Sequence, residues 1–184
     1  MLIFEGGENI PKNSQEQINI DERKVINELK TSANKSINSI AKNCGFSRQK
    51  VWRIIKKLEK DNTIWGYGTV IDEEKQGLNY FILMLKRSTK PVKMEIVENI
   101  TSREVDKHIQ EMGCEMVTSL YVHGNYDWII IFTAPNISQA NRVSELFKVR
   151  YHEVLEEAHL LETIFPAKIH GIVNPEIGKL KTFF

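Results

Sequence analysis

Between Lys42 and Lys60 the chain gathers seven basic residues (Lys42, Arg48, Lys50, Arg53, Lys56, Lys57, Lys60) against one acid, Glu59. That stretch carries +6 in a chain of net charge +1, which leaves the remainder at −5. Such asymmetry is the expected footprint of a surface that faces phosphates. On a helix at about 100° per residue, Gln49, Arg53, Lys56 and Lys60 share one face, and Trp52 and Lys57 flank it. Val51, Ile54, Ile55 and Leu58 fall nearly opposite. In the major groove an arginine fork matches the acceptors of guanine, and a glutamine amide matches adenine. Arg48, Gln49 and Arg53, near the start of the helix, are therefore candidates for base edges. Lys56, Lys57 and Lys60 suit phosphates, which set affinity and register. Ser47 caps the helix and adds a phosphate donor, and Lys50 and Trp52 complete the candidate DNA-binding set. For Trp52, packing on a neighbouring element is the favoured alternative.

Catalysis finds no comparable constellation. His108, His123, His152, His159 and His170 show no metal-ligand spacing. Cys44 and Cys114 are far apart and fit no redox or metal motif, which suits free thiols in a reducing cytoplasm. No nucleophile-base pair, glycine-rich phosphate loop or metal cluster stands out. No catalytic residue, metal or cofactor is expected, and an enzyme is not the reading. The N-terminus lacks a basic lead and a long apolar run, so no signal peptide and no membrane span are expected.

A basic helix face alone is usually just solvated. Its meaning changes when a second helix must cross it at a tight turn. Ala41 supplies the small residue at that crossing, and Gly45, four positions on, supplies a turn tolerant of positive φ. Ile40, Cys44, Phe46, Val51 and Ile54 stand where the wedge between two helices needs apolar groups. Ser36 caps the first of the pair, and Ser47 caps the second, which runs to about Asp61. An earlier helix starts at Asp21 with Val25, Ile26 and Leu29 inward. Residues 1–19 read as a polar tail, flexible or with a short element used in a dimer. Thr63 to Ile71 is glycine-punctuated and β-like.

The second half reads as strand, helix, strand, strand, helix, strand. Tyr80–Leu85 is a strand, and Thr101 with Glu104 forms a capping box opening a helix to about Met112. Val92, Met94 and Ile96 alternate, which predicts a strand over Val92 to Ile100. Met116–Val122 and Trp128–Ala134 are strands joined by the tight turn His123 to Asp127. Ser138–Val149 is a helix, and Leu155–Phe165 a last strand stopped by Pro166. The domains are thus a tail (1–19), a DNA-binding domain (20–71), a linker (72–79), a sheet domain (80–166) and an extension (167–184).

These residues resemble the leucine-responsive regulatory protein (Lrp/AsnC) family of bacteria and archaea over about residues 20–166. The likeness rests on Ile20-Asp21-Glu22-Arg23, Ser36 to Ala41, Gly45-Phe46-Ser47, Val51 and Ile54 to Glu59. It continues through Ile64, Gly66-Tyr67, Val70-Ile71-Asp72 and Gly77. Gly124-Asn125-Tyr126-Asp127 looks like that family's Gly-Asp-Tyr-Asp loop. The resemblance implies an α+β fold: an N-terminal winged helix-turn-helix joined to a C-terminal ferredoxin-like βαββαβ domain. It implies a cytoplasmic transcription regulator on double-stranded DNA, a homodimer or octamer, and an amino-acid or similar effector at Gly124, Asn125, Tyr126 and Asp127. A purely structural hairpin explains Gly124 and Asn125 equally well. Three departures stand out: Asn125 replaces an acid, Lys86 to Gly124 is long, and 167–184 runs past the last strand. The rival readings are a sirohaem decarboxylase-like enzyme of the same architecture and an architectural DNA binder with little sequence preference.

Overall fold

The computed structural model describes residues 14–184. The tail expected over 1–19 falls mostly outside them. Its last residues do not belong to a tail. Helix α1 spans Gln15–Thr31 and is capped by Ser14, whose side chain accepts from the Gln17 N–H. The start thus lies six residues ahead of Asp21, because the Ser14 hydroxyl satisfies a first-turn donor that Asp21 was expected to serve. Helices α2 (Ile37–Cys44) and α3 (Arg48–Lys60) follow. The chain divides into two compact units, one reaching Val70 and including Lys168–Val173, the other holding Ile71–Ala167 and Asn174–Phe184.

The first unit closes on Val25, Ile40, Ala41 and Val51, with Leu29, Ile37, Phe46 and Ile54 packed around them. The β-like stretch after α3 forms no strand, since no ladder partner pairs with it among the described residues. It is held at two points. The Ile64 N–H donates to the Leu58 carbonyl at 2.9 Å, and the Tyr67 hydroxyl donates to Glu59 Oε1 at 3.0 Å.

The second unit is built on strands β1 (Asn79–Arg87), β2 (Glu115–Tyr121), β3 (Trp128–Ala134) and β4 (Leu155–Glu162). They form one sheet in the order β2-β3-β1-β4, with every pairing antiparallel. Between β1 and β2 run two short helices, α4 (Met94–Thr101) and α5 (Glu104–Glu111); α6 (Ile137–Arg150) joins β3 to β4. This is the ferredoxin-like order with an added helix in the first crossover, which accounts for the length of Lys86 to Gly124.

Two expectations fail in that crossover. Val92 to Ile100 is not a strand. Ile96 and Ile100, one helical turn apart, pack against the core, so tertiary burial overrides the short alternation. The capping box is not formed either. Thr101 ends α4, with its hydroxyl on the Val97 and Glu98 carbonyls, and α5 starts instead after Arg103 in a left-handed conformation (φ 57°). The last strand also stops at Glu162, short of Phe165.

Alternation then decides the sheet's faces. Phe81, Leu83 and Leu85 of β1 stand opposite Phe132, Ile130 and Trp128 of β3, all buried. Val105 and Ile109 of α5 and Val143 and Phe147 of α6 complete this core. On the other face Ile82, Met84, Ile129 and Ile131 are only half-buried, and Leu120 and Leu161 are exposed. The extension folds into a two-stranded hairpin, β5 (Lys168–Ile169) with β6 (Ile172–Val173), and a 3-10 turn over Ile177–Phe183. No helix among the described residues is long and apolar enough to cross a membrane.

Candidate nucleic-acid interface

The geometry around α3 starts from its turn. Gly45 sits at φ 70° and ψ 33°, and the Phe46 N–H closes on the Ala41 carbonyl at 2.9 Å. A side chain at Gly45 would be strained whatever room it found. Ser36 and Ser47 each accept at 3.2 Å from the N–H three residues on, at Ser39 and Lys50. Two capped helices and a left-handed glycine thus fix how α3 meets α2. Val51 and Leu58 are buried, which turns the opposite side of α3 to solvent.

On that side Arg48, Gln49, Trp52, Arg53, Lys56, Lys57 and Lys60 are all exposed. Arg48, Arg53 and Lys60 make no ion pair among the described residues. The first turn of α3 carries no acid, so its positive dipole end adds to Arg48 instead of being offset. Trp52 is about half exposed (51%).

The other lysines are engaged. Lys56 pairs with Glu59 at 2.7 Å and Lys57 with Glu22 of α1 at 2.5 Å. Bonds from Lys56 and then Tyr67 hold the Glu59 carboxyl below its ordinary value. Lys50 differs most from its expected role. Its ammonium is bonded to the buried Asp21 of α1 and lies 4.1 Å from the Phe46 ring centroid. Burial pushes the Asp21 carboxyl up, but bonds from Lys50 and Gln17 outweigh it, and the net shift is downward. Lys50 is therefore a group that positions α3 against α1. Nothing local in the sequence pairs it with Asp21.

The loop at Gly124 lies between β2 and β3. The Asp127 carboxylate accepts from the Arg87 N–H at 2.8 Å, and the Asp127 N–H donates to the Leu85 carbonyl at 3.0 Å. Asp127 thus splices the loop to β1. Gly124, at φ 154°, and Asn125 are exposed, and Tyr126 meets the His159 ring edge-on at 5.7 Å.

The histidines weighed for chemistry stand at separate places: His108 on the Glu104 carbonyl, His152 on that of Val149, and His159 on Glu157. Among the described residues no three His, Cys, Asp or Glu side chains come together as a metal site. Cys44 and Cys114 are free thiols, and burial raises both.

Residues 22–64 match a family model described as winged helix-turn-helix DNA-binding. No curated protein matches the chain. Solved structures share its architecture. The feast or famine regulatory protein from Mycobacterium tuberculosis, complexed with L-methionine, is 15% identical with a TM-score of 0.64, over 83% of this chain and 95% of that one. An AsnC family transcriptional regulator from Agrobacterium tumefaciens is 17% identical with a TM-score of 0.60, over 85% and 96%. A transcriptional regulator from Neisseria meningitidis, also with L-Met, is 12% identical with a TM-score of 0.62, over 81% and 91%. At these identities the likeness establishes the fold: a winged helix-turn-helix followed by the four-stranded α+β domain of Lrp/AsnC regulators.

Proposed function

We propose that this chain is a DNA-binding transcription regulator of the Lrp/AsnC type, reading its site with α3. One observation carries the reading: an exposed face with Arg48, Arg53 and Lys60 free of carboxylates, beside Gln49, on a helix whose turn and caps fix its presentation. Arg48, Gln49 and Arg53 take base edges. Lys60 and Ser47 take phosphates, and Lys56 and Lys57 reach phosphates after exchanging their present partners. Trp52 borders the contact, while Lys50 serves the shape of the domain.

Selecting bound fragments from genomic DNA with purified protein supplies the cognate site. On that site Arg53→Ala is expected to cost ~1–3 kcal/mol and relax sequence preference. Lys60→Ala is expected to weaken cognate and random DNA alike. An Arg53→Ala protein with unchanged cognate affinity would refute this face, and equal affinity of the parent for cognate and random DNA would favour an architectural role.

The half-open sheet face, with Ile82, Met84, Ile129 and Ile131, suits a second copy of the chain. A dimer would offer two α3 helices to grooves about 34 Å apart on a pseudo-palindrome. For the effector, Asn125 and Tyr126 are the loop groups with polar atoms not engaged in hydrogen bonds among the described residues, as Asp127 is used within the fold. Thermal scans against the amino acids, methionine first, test it; a flat response to all of them counts against sensing.

A further inference from the structure

The first unit holds a cleft of about 840 Å³ that none of the DNA-reading residues line. It lies within the roughly 300–1,000 Å³ common to small-ligand sites. Its apolar wall is Ile26 and Leu29 of α1, Ile64 and Val70 after α3, and Ile172 of β6. Trp65, 95% exposed, stands at its margin. The C-terminal extension therefore does more than trail the fold, because its hairpin closes one side of this space.

Besides hydroxyls, its polar lining holds Lys30, in the last turn of α1, and His170, at the hairpin tip, and among the described residues no carboxylate lines it. Lys30 makes no ion pair among the described residues. The hairpin tip is a two-residue turn with both residues at positive φ, His170 at 47° and Gly171 at 86°. Glycine or asparagine would suit the first position better, so the backbone is held in a costly conformation at a residue that lines the cleft.

We infer that this cleft binds an apolar carboxylic acid, its hydrocarbon part against the Ile26–Leu29–Ile64–Ile172 wall and its carboxylate at Lys30 and His170. Charge complementarity selects the anion, and the apolar wall with the volume of the cleft selects a medium-sized hydrocarbon body. The site is separate from the loop at Gly124, and its failure would leave the DNA reading untouched.

Isothermal titration of the full chain with octanoate and decanoate tests the inference. One saturable site per chain is expected, about tenfold tighter for decanoate because two more methylenes are buried. Lys30→Glu should weaken both acids at least tenfold. His170→Gly should weaken them while raising the thermal midpoint, a split that a merely structural histidine would not give. Val149→Asp, at an exposed apolar residue of α6, should change nothing. Equal affinities in the parent and Lys30→Glu would overturn the assignment, as would an absence of heat at millimolar decanoate. So would a dimer that Ile172→Asp dissociates, since a second copy would then fill the cleft.

Discussion

The two units hold together by different means. The sheet unit buries a large apolar core in which Trp128, Phe147 and Tyr151 meet at 5.2 to 5.8 Å. The helical unit has a small core around Val25, Ile40, Ala41 and Val51 and adds charge pairs between α1 and α3, Asp21 with Lys50 and Glu22 with Lys57. The sheet unit can therefore vary its surface without loosening its interior. In the helical unit the lysines that order the fold sit on α3, the helix proposed to meet DNA, so stability and the proposed recognition draw on the same helix.

The contrast can be broken first at its apolar end. Phe147→Ala should destabilise the sheet unit by ~3–5 kcal/mol in urea unfolding, as a large buried ring leaves a cavity. Next comes Lys50→Met, which keeps the stem over Phe46 but strands the buried Asp21. A loss of about 1–2 kcal/mol is expected near neutral pH, moderated because Lys50 stays partly in water. Its pH dependence sharpens the point. Asp21 has a lowered folded-state pKa, so its pairing stabilises above the ordinary value of 3.8 and is lost as pH falls through the folded one. Parent and Lys50→Met should draw together as pH falls below Asp21's ordinary 3.8 and through its lowered folded value; curves that stay parallel over the whole acid limb would show that the pair contributes nothing. The smallest effect belongs to Glu22→Gln. Lys57 is solvent-exposed, so the urea midpoint should barely move, while DNA affinity should rise as Lys57 is released.

The helix pair was legible in the sequence because its signals are local: Ser36, Ala41, Gly45 and Ser47 act within five residues of their partners. β3 was legible for the same reason, its run of apolar residues being bounded by a turn and Pro135. What escaped was decided at a distance. Ile96 and Ile100 form a helix because of the core they meet. Ile64 to Val70 has strand-like composition but no neighbouring strand. The cationic face was readable from spacing, yet which lysines were already engaged depended on Asp21 and Glu22, some thirty residues earlier in the chain. The cleft depended on a hairpin more than a hundred residues away from α1.

The engaged lysines have a consequence for ionic strength. A free cation that meets a phosphate expels a condensed counterion from the DNA, whereas a lysine leaving an internal carboxylate exchanges one partner for another. Of the seven basic residues from Lys42 to Lys60, Lys50, Lys56 and Lys57 are in internal pairs. The logarithmic dependence of DNA affinity on salt should then be shallower than a count of all seven basic residues suggests.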